Sequence, residues 1–198
     1  MSGSGLIKGN SNIRRPFLII EQDEGSAVSG MNDFERVYEM MSASFPENEY
    51  RTPSGQKELL QHPEYRLMTE SDEQGQMIAF LAAWEFPLFR FIEHLAVDPS
   101  VRGGGIGKRL MNKYLSESKK LTILEVELPE DTLSCRRIRF YERLGFRLND
   151  YDYVQPPLRV GEEDLPLKIM SYPKPLAENE FLACKALLYD KVYRIPKI

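Results

Sequence analysis

The chain has 198 residues, of which 42% are hydrophobic, and its formal net charge is −4 at pH 7. This length suits one globular domain with a sizeable core, and the acidic balance argues against a general nucleic-acid-binding protein. The chain has no apolar run near the length of a membrane span, and its first residues lack the pattern of a signal peptide. Its two cysteines lie far apart and outside metal-ligand spacing, so we expect a cytoplasmic protein without a metal site.

After a polar arm at residues 1–15, strands and helices are predicted in the order β-α-α-β-β-β-α-β-α-β-β, followed by a terminal helix. Short apolar or alternating runs, bounded by turn residues, indicate seven strands. The strands are predicted at 17–20, 65–70, 77–86, 89–97, 121–128, 146–154 and 165–172. Apolar residues at helical spacing and terminal capping residues indicate five helices. The helices are predicted at 33–45, 54–61, 105–118, 131–145 and 177–193.

An arginine–glycine loop joins the strand 89–97 to the helix that follows it. The loop has the spacing Arg-x-x-Gly-x-Gly, filled by Arg102, Gly105 and Gly107. Glycines carry no Cβ to keep a ligand away from the backbone N–H groups. A helix N-terminus also favours a bound anion. The loop therefore predicts a site for a ligand that carries phosphate.

Two common phosphate-binding loops are excluded by counting. The P-loop requires Ser or Thr after its Gly-Lys pair, but here Arg109 follows Lys108. The dinucleotide fingerprint requires a third glycine, where this chain has Leu110.

Residues 91–111 and 134–146 resemble two motifs of the GNAT (GCN5-related) N-acetyltransferase superfamily. The first resembles the pyrophosphate loop of that family, which follows a strand ending in Val. The second, with the sequence Phe-Tyr-x-x-Leu-Gly-Phe at its end, resembles a later helix of the family. The two motifs lie in the expected order, with one predicted strand between them. The resemblance covers roughly residues 16–172 and implies acetyl-CoA as the cosubstrate.

The resemblance implies an α/β (α+β) GNAT fold. Its central sheet is expected to be mixed, mostly antiparallel and six- to seven-stranded, with flanking helices and with the strands 89–97 and 121–128 splayed apart. The acyltransferase domain is predicted at 16–176, after a flexible arm at 1–15. The helical extension 177–198 is expected to pack on the domain or on a second copy, so a monomer and a homodimer both stay open.

The resemblance also implies which residues contact acetyl-CoA. The pyrophosphate would bind the N–H groups of the loop, and the pantetheine arm would pair with the strand ending at Val97. Ser134 stands where many members carry an asparagine that bonds the pantetheine, so a weaker or rearranged contact is expected there. The predicted cofactor-binding residues are Leu95, Val97, Arg102, Gly103, Gly104, Gly105, Ile106, Gly107, Lys108, Ser134 and Tyr141.

Two catalytic residues are predicted, Tyr141 and Glu93. Tyr141 stands at the family's general-acid position, and a phenol with a pKa of about 10 is protonated at neutral pH; the alternative is that it only packs. Glu93 is the leading general base. Strand alternation places it on one face with Leu95 and Val97, with His94 packed on the opposite face, and burial is expected to raise its pKa.

The acceptor side is predicted from acidic and aromatic residues. Glu125 and Glu127 are competing bases, as is water, and both glutamates are candidate anchors for a cationic acceptor. Tyr50 is a candidate aromatic wall for the same cation.

The motifs together predict an N-acetyltransferase that moves an acetyl group from acetyl-CoA to a primary amine of a small molecule or protein, by direct attack in a ternary complex. A non-catalytic acyl-CoA-binding sensor or interaction module with the same fold is the alternative. No nucleic acid and no membrane is expected as a partner.

Overall fold

The computed structural model describes residues 30–194, with side chains from Asp33 onward. The predicted arm 1–15 and the predicted strand 17–20 lie outside these residues. The strands are β1 (Tyr65–Ser71), β2 (Met77–Glu85), β3 (Phe89–Val97), β4 (Leu121–Glu127), β5 (Arg147–Gln155) and β6 (Leu165–Tyr172). The helices are α1 (Gly30–Ser44), α2 (Pro53–Glu58), α3 (Ile106–Ser116), α4 (Thr132–Glu142) and α5 (Glu178–Lys191).

The six strands form one sheet in the order β1-β2-β3-β4-β6-β5. Only β3 and β4 pair in parallel, and every other neighbouring pair is antiparallel. Parallel neighbours need a crossover connection, which here contains the glycine loop and α3. The predicted mixed, mostly antiparallel sheet is confirmed.

The central strands β3 and β4 separate partway along their length. Their pairing runs from Phe89 opposite Leu121 to Ile92 opposite Leu124 and then stops. The rest of each strand continues without the other, which confirms the predicted splay. The sheet is therefore open at its centre, beside the loop that leads into α3.

A β-bulge lies in β3 at the point where this separation begins. Ile92 is opposite Ala83 and His94 is opposite Ala82, so Glu93 is an extra residue without a partner on β2. Because an extra residue reverses the alternation of faces, Leu95 packs with Ile92 into one core cluster. The prediction that Glu93 shares a face with Leu95 and Val97, opposite His94, assumed an unbroken strand and was wrong.

Helices cover both faces of the sheet. Apolar side chains of α3 and α4, among them Met111 and Ile138, pack on one face with Leu124. The other face is covered by α1 and by α5, whose Phe181 and Leu188 are buried in a cluster with aromatic side chains of β2 and β3. The helix of the C-terminal extension thus packs on its own domain.

Candidate active site

The glycine loop leaves an open cradle in front of α3. Gly103 and Gly105 have φ values of 95° and 74°, in the left-handed region that favours glycine. A Cβ on either residue would meet no atom within 4 Å. The Arg102 side chain folds back on the strand, with Nε donating to the carbonyl of Val97 at 3.2 Å. Gly105 is the N-cap of α3, and no side chain caps the unpaired N–H groups of the first helical turn.

The other predicted loop residues differ from these two glycines in their packing and in their exposure. A Cβ on Gly107 would lie 3.3 Å from Cγ2 of Val97, so this glycine allows α3 to pack closely on β3. Ile106 is buried in the core, whereas Gly104 and Lys108 are exposed. In this turn a ligand can therefore reach the backbone of Ile106 and not its side chain.

The first prediction concerns the cradle. Gly105→Val is expected to abolish the thermal shift with acetyl-CoA, because the branched valine side chain narrows the cradle. Valine also disfavours the φ of 74° that Gly105 adopts. The fold should survive, since one residue in this region costs roughly 1–2 kcal/mol. Gly161→Val is the matched control: Gly161 also has a positive φ and open space at its Cβ, but lies between β5 and β6. An unchanged shift in the Gly105 variant would contradict the assignment.

A pocket opens where β3 and β4 separate. Its walls come from both strands, from α4, from the segment that follows α1, and from β5, β6 and the loop between them. The lining residues include four glutamates (Glu49, Glu93, Glu125 and Glu127) together with His94, Arg137, Tyr141 and Gln155. The structure therefore brings the two predicted catalytic residues and two predicted acceptor residues to one pocket.

Tyr141 reaches the pocket from α4 and is 8% exposed. Burial raises the pKa of its hydroxyl to about 12, although the charge of Arg137 acts in the opposite direction. The hydroxyl has no hydrogen-bond partner within residues 30–194. Tyr141 is therefore protonated throughout the neutral range, with its hydroxyl available to a ligand.

Ser134 is buried at the start of α4 and has a local structural role. Its N–H donates to Oδ1 of Asp131 at 2.7 Å, and its hydroxyl oxygen accepts from the N–H of Asp131 at 3.2 Å. This reciprocal pair caps the helix. The predicted contact between Ser134 and the pantetheine stays a prediction.

Glu93 is held at both carboxylate oxygens. Oε1 accepts from Nη1 of Arg51 at 2.6 Å, and Oε2 accepts from Nε1 of Trp84 at 3.0 Å. Burial works against ionisation, but the Arg51 charge and these hydrogen bonds outweigh it and hold the pKa of Glu93 below its usual value. The expected rise in this pKa was wrong, because the sequence did not reveal a buried arginine 42 residues away.

The two other predicted carboxylates also have partners. Glu125 accepts hydrogen bonds from the hydroxyls of Tyr153 and, at 2.7 Å, Tyr193. Burial raises its pKa to about 7 although these bonds favour the charged form. Glu127 forms an ion pair with Arg137, with 2.7 Å between Oε2 and Nη1.

The second prediction follows from the pKa of Glu125. Because burial raises the pKa of Glu125 to about 7, above its ordinary value of about 4.5, ionisation of Glu125 destabilises the fold as pH rises between these two values. Glu125→Gln should therefore be more stable than the wild type at pH 8, by roughly 2 kcal/mol after allowance for partial exposure, and nearly equal to it at pH 5. Urea unfolding at both pH values measures the difference, with exposed Glu162→Gln as control. A gain in stability that is the same at both pH values would contradict the raised pKa assigned to Glu125.

Glu49 is a pocket residue whose catalytic potential the sequence did not single out. It ends a short 3₁₀ helix, Glu47–Glu49, which precedes α2. Burial first, and then the charge of Glu127, raise the pKa of Glu49 to about 7, while Arg137 opposes the rise. No periodicity marks this residue, because it lies in the connecting segment between α1 and α2.

Tyr50 does not line the pocket. Its ring is buried, and the guanidinium of Arg159 lies 4.6 Å from the ring centroid. Nε of Arg159 also donates to the carbonyl of Tyr50 at 2.9 Å. The predicted cation-binding wall is thus already occupied by an arginine of the same chain.

Residues 30–194 contain no cluster of three or more His, Cys, Asp or Glu side chains suited to a metal ion. None of the helices in that range combines the length and apolar character required to cross a membrane.

Known proteins share this sequence pattern and this fold. The chain is 30% identical over 159 residues to "Putative acetyltransferase YjbC" of Bacillus subtilis (strain 168). The match covers 79% of this chain and 80% of that protein. A solved structure, "Putative acetyltransferase from GNAT family from Bacteroides thetaiotaomicron", is 32% identical with a TM-score of 0.77, covering 84% of this chain and 94% of that one. An aminoglycoside 6'-N-acetyltransferase complexed with coenzyme A shares the fold at 18% identity and a TM-score of 0.54. The match covers 73% of this chain and 93% of that chain.

The sequence model of the acetyltransferase (GNAT) family matches residues 34–146. This range is more than half of the chain and contains the glycine loop, both splayed strands and Tyr141. The chain therefore belongs to the GNAT family of acetyltransferases.

Proposed function

We propose that this protein transfers the acetyl group of acetyl-CoA to a primary amine by direct attack in a ternary complex. The observation that carries the proposal is the separation of β3 and β4 beyond Ile92 and Leu124. A pocket with four glutamates lies in this opening, and the glycine loop follows closely on the end of β3. A donor and an acceptor could therefore meet between the two strands.

The residues present fit acetyl-CoA as the donor. The cradle at Gly103 and Gly105 has room for a pyrophosphate against the first turn of α3. Leu95 and Val97 pair with β2 but not with β4, so one side of this backbone is available to the pantetheine amides. The CoA complex of the aminoglycoside acetyltransferase with this fold supports the same choice of cosubstrate.

Tyr141 supplies the proton that the reaction requires on the sulfur. As the acetyl carbon bonds to the amine nitrogen, its bond to the CoA sulfur breaks and leaves a thiolate. The Tyr141 hydroxyl is protonated at neutral pH and has no partner among the described residues to compete for it. Positioning of both reactants supplies much of the remaining rate enhancement.

The pocket favours an acceptor that carries positive charge. Its carboxylates attract an alkylammonium group, and the proton that the amine must lose passes to one of them or to water. Arg137 pairs with Glu127 and Arg51 pairs with Glu93, so Glu49 and Glu125 are the glutamates that set the local potential. A cationic primary amine is therefore the acceptor class that we propose.

The function is tested by thiol release from acetyl-CoA with a panel of spermidine, kanamycin, L-lysine and an alanine-starting peptide. We expect release with at least one amine, and acetylated product by mass spectrometry. A thermal shift with acetyl-CoA but no thiol release with any amine would support the sensor alternative and overturn the proposal.

A further inference from the structure

The four glutamates of the pocket differ in what engages their carboxylates. Glu93, Glu125 and Glu127 each accept hydrogen bonds or form an ion pair with neighbouring side chains. Within the described range, no hydrogen bond and no ion pair engages the carboxylate of Glu49. Glu49 is thus the pocket glutamate whose oxygens are available to a ligand.

The backbone at Glu49 is fixed although its carboxylate is unengaged. Its carbonyl accepts from Nε2 of His94 at 2.9 Å. His94 is buried, with its ring edge against Phe45 at a centroid distance of 4.9 Å. Because a carbonyl can only accept, Nε2 carries the hydrogen, and burial holds the pKa of His94 below its usual value, which favours the neutral ring. This hydrogen bond holds the backbone at Glu49 in place, and the unengaged carboxylate leaves its oxygens available to accept a proton.

We propose that Glu49 is the catalytic base that takes the proton from the acceptor amine, an inference that rests on the acetyl transfer proposed above. The nitrogen–carbon bond forms as the carbon–sulfur bond breaks. The amine proton passes to the Glu49 carboxylate, and the Tyr141 proton passes to the sulfur. Exchange with solvent then returns both residues to their starting states.

The electrostatic surroundings of Glu49 suit this role. The charged groups that face it are Glu127 of β4 and Arg137 of α4, while His94 of β3 is held neutral. Their balance with burial places the pKa of Glu49 at about 7. A general base is most effective when its pKa lies near the working pH, whereas the lowered pKa of Glu93 makes that carboxylate a weaker base. Glu93 is instead fixed by Arg51 and Trp84.

Glu49→Gln tests the inference, and Glu47→Gln is the matched control. Glu47 lies in the same 3₁₀ helix, but it is exposed, forms an ion pair with Arg159 and does not line the pocket. The assay is thiol release with the best amine of the panel between pH 5.5 and 9.5. In the wild type, kcat/KM for the amine should rise through pH 7, because Glu49 must lose its proton before it can accept one.

Glu49→Gln should lose that rise and lower kcat/KM at pH 7.5 by about 10²-fold, with KM for acetyl-CoA unchanged. Glu49→Asp keeps a carboxylate and should restore the rise in part, and Glu47→Gln should retain the wild-type profile. A Glu49→Gln profile within threefold of the wild type at every pH overturns the inference and leaves the proposed function standing. A wild type that binds acetyl-CoA but releases no thiol overturns the proposed function and the inference with it.

Discussion

Tyr141→Phe is expected to lower kcat by about 10²–10³-fold, while the affinity for acetyl-CoA stays within about twofold. General acid catalysis typically contributes 10²–10⁴-fold, and phenylalanine cannot supply a proton to the leaving thiolate. The variant should fold normally, because the ring stays packed with Phe140 and Phe146 and no protein group within residues 30–194 loses a hydrogen-bond partner. Steady-state thiol release and titration with acetyl-CoA measure the two quantities separately.

Tyr114→Phe is the matched control for this substitution. Tyr114 is a buried tyrosine of the neighbouring helix α3, and it lies outside the pocket. Its variant should retain the wild-type kcat. If Tyr141→Phe also keeps kcat within threefold, Tyr141 only fills the apolar face of α4 and the assigned acid role is wrong.

Arg51→Leu is expected to destabilise the fold by about 3–5 kcal/mol at pH 7, the cost typical of removing one partner of a buried ion pair. The Arg51 and Glu93 side chains are only 10% and 4% exposed. Nη2 of Arg51 also donates to the carbonyl of Val192 at 2.9 Å, just beyond the end of α5. Because about 1 kcal/mol corresponds to 2–4 °C in a chain of this size, Tm should fall by roughly 10 °C.

The pH dependence of this loss identifies its cause. In the wild type the pKa of Glu93 is lowered, so its contribution to stability is present at neutral pH and is lost as pH falls through that pKa. Without Arg51, burial outweighs the remaining Trp84 hydrogen bond and raises the pKa of Glu93. The difference between wild type and variant should therefore shrink below about pH 5. Thermal unfolding between pH 4.5 and 8 measures it.

Two controls show whether the lost stability comes from a buried Glu93 charge without a partner or from lost packing of the Arg51 side chain. The double variant Arg51→Leu with Glu93→Gln removes both charges and should recover much of the lost stability. Lys174→Leu breaks an ion pair with Glu180 in which the lysine side chain is 61% exposed, and it should change stability by less than about 1 kcal/mol. If Arg51→Leu lowers the stability of the fold by less than about 1 kcal/mol, the Arg51–Glu93 pair does not hold Val192, at the end of α5, to the sheet.

The order of the helices and strands and the identity of the two motifs could be read from the sequence. Alternating and helical periodicities are local, and so are the turn residues that bound them, so the predicted strand 89–97 coincides with β3. The predicted helix at 54–61 instead divides into α2 and a 3₁₀ turn, Leu59–Gln61. The glycine loop and Tyr141 belong to motifs that are recognised by the spacing of their residues. The position of both beside the opening could therefore be predicted from the sequence.

The chemistry of the glutamates was decided only by the tertiary structure. A bulge at Glu93 changed which side chains share a face of β3, and Arg51 reversed the expected direction of its pKa. Glu49 reaches the pocket from the connecting segment between α1 and α2, and no periodicity distinguishes it from the other acidic residue of that segment. Sequence periodicity is a property of neighbours along the chain, whereas a pKa depends on every charge and apolar group nearby in space. For this protein the sequence by itself determined the family and the fold, and the packed structure decided which carboxylate of the pocket has no partner among residues 30–194.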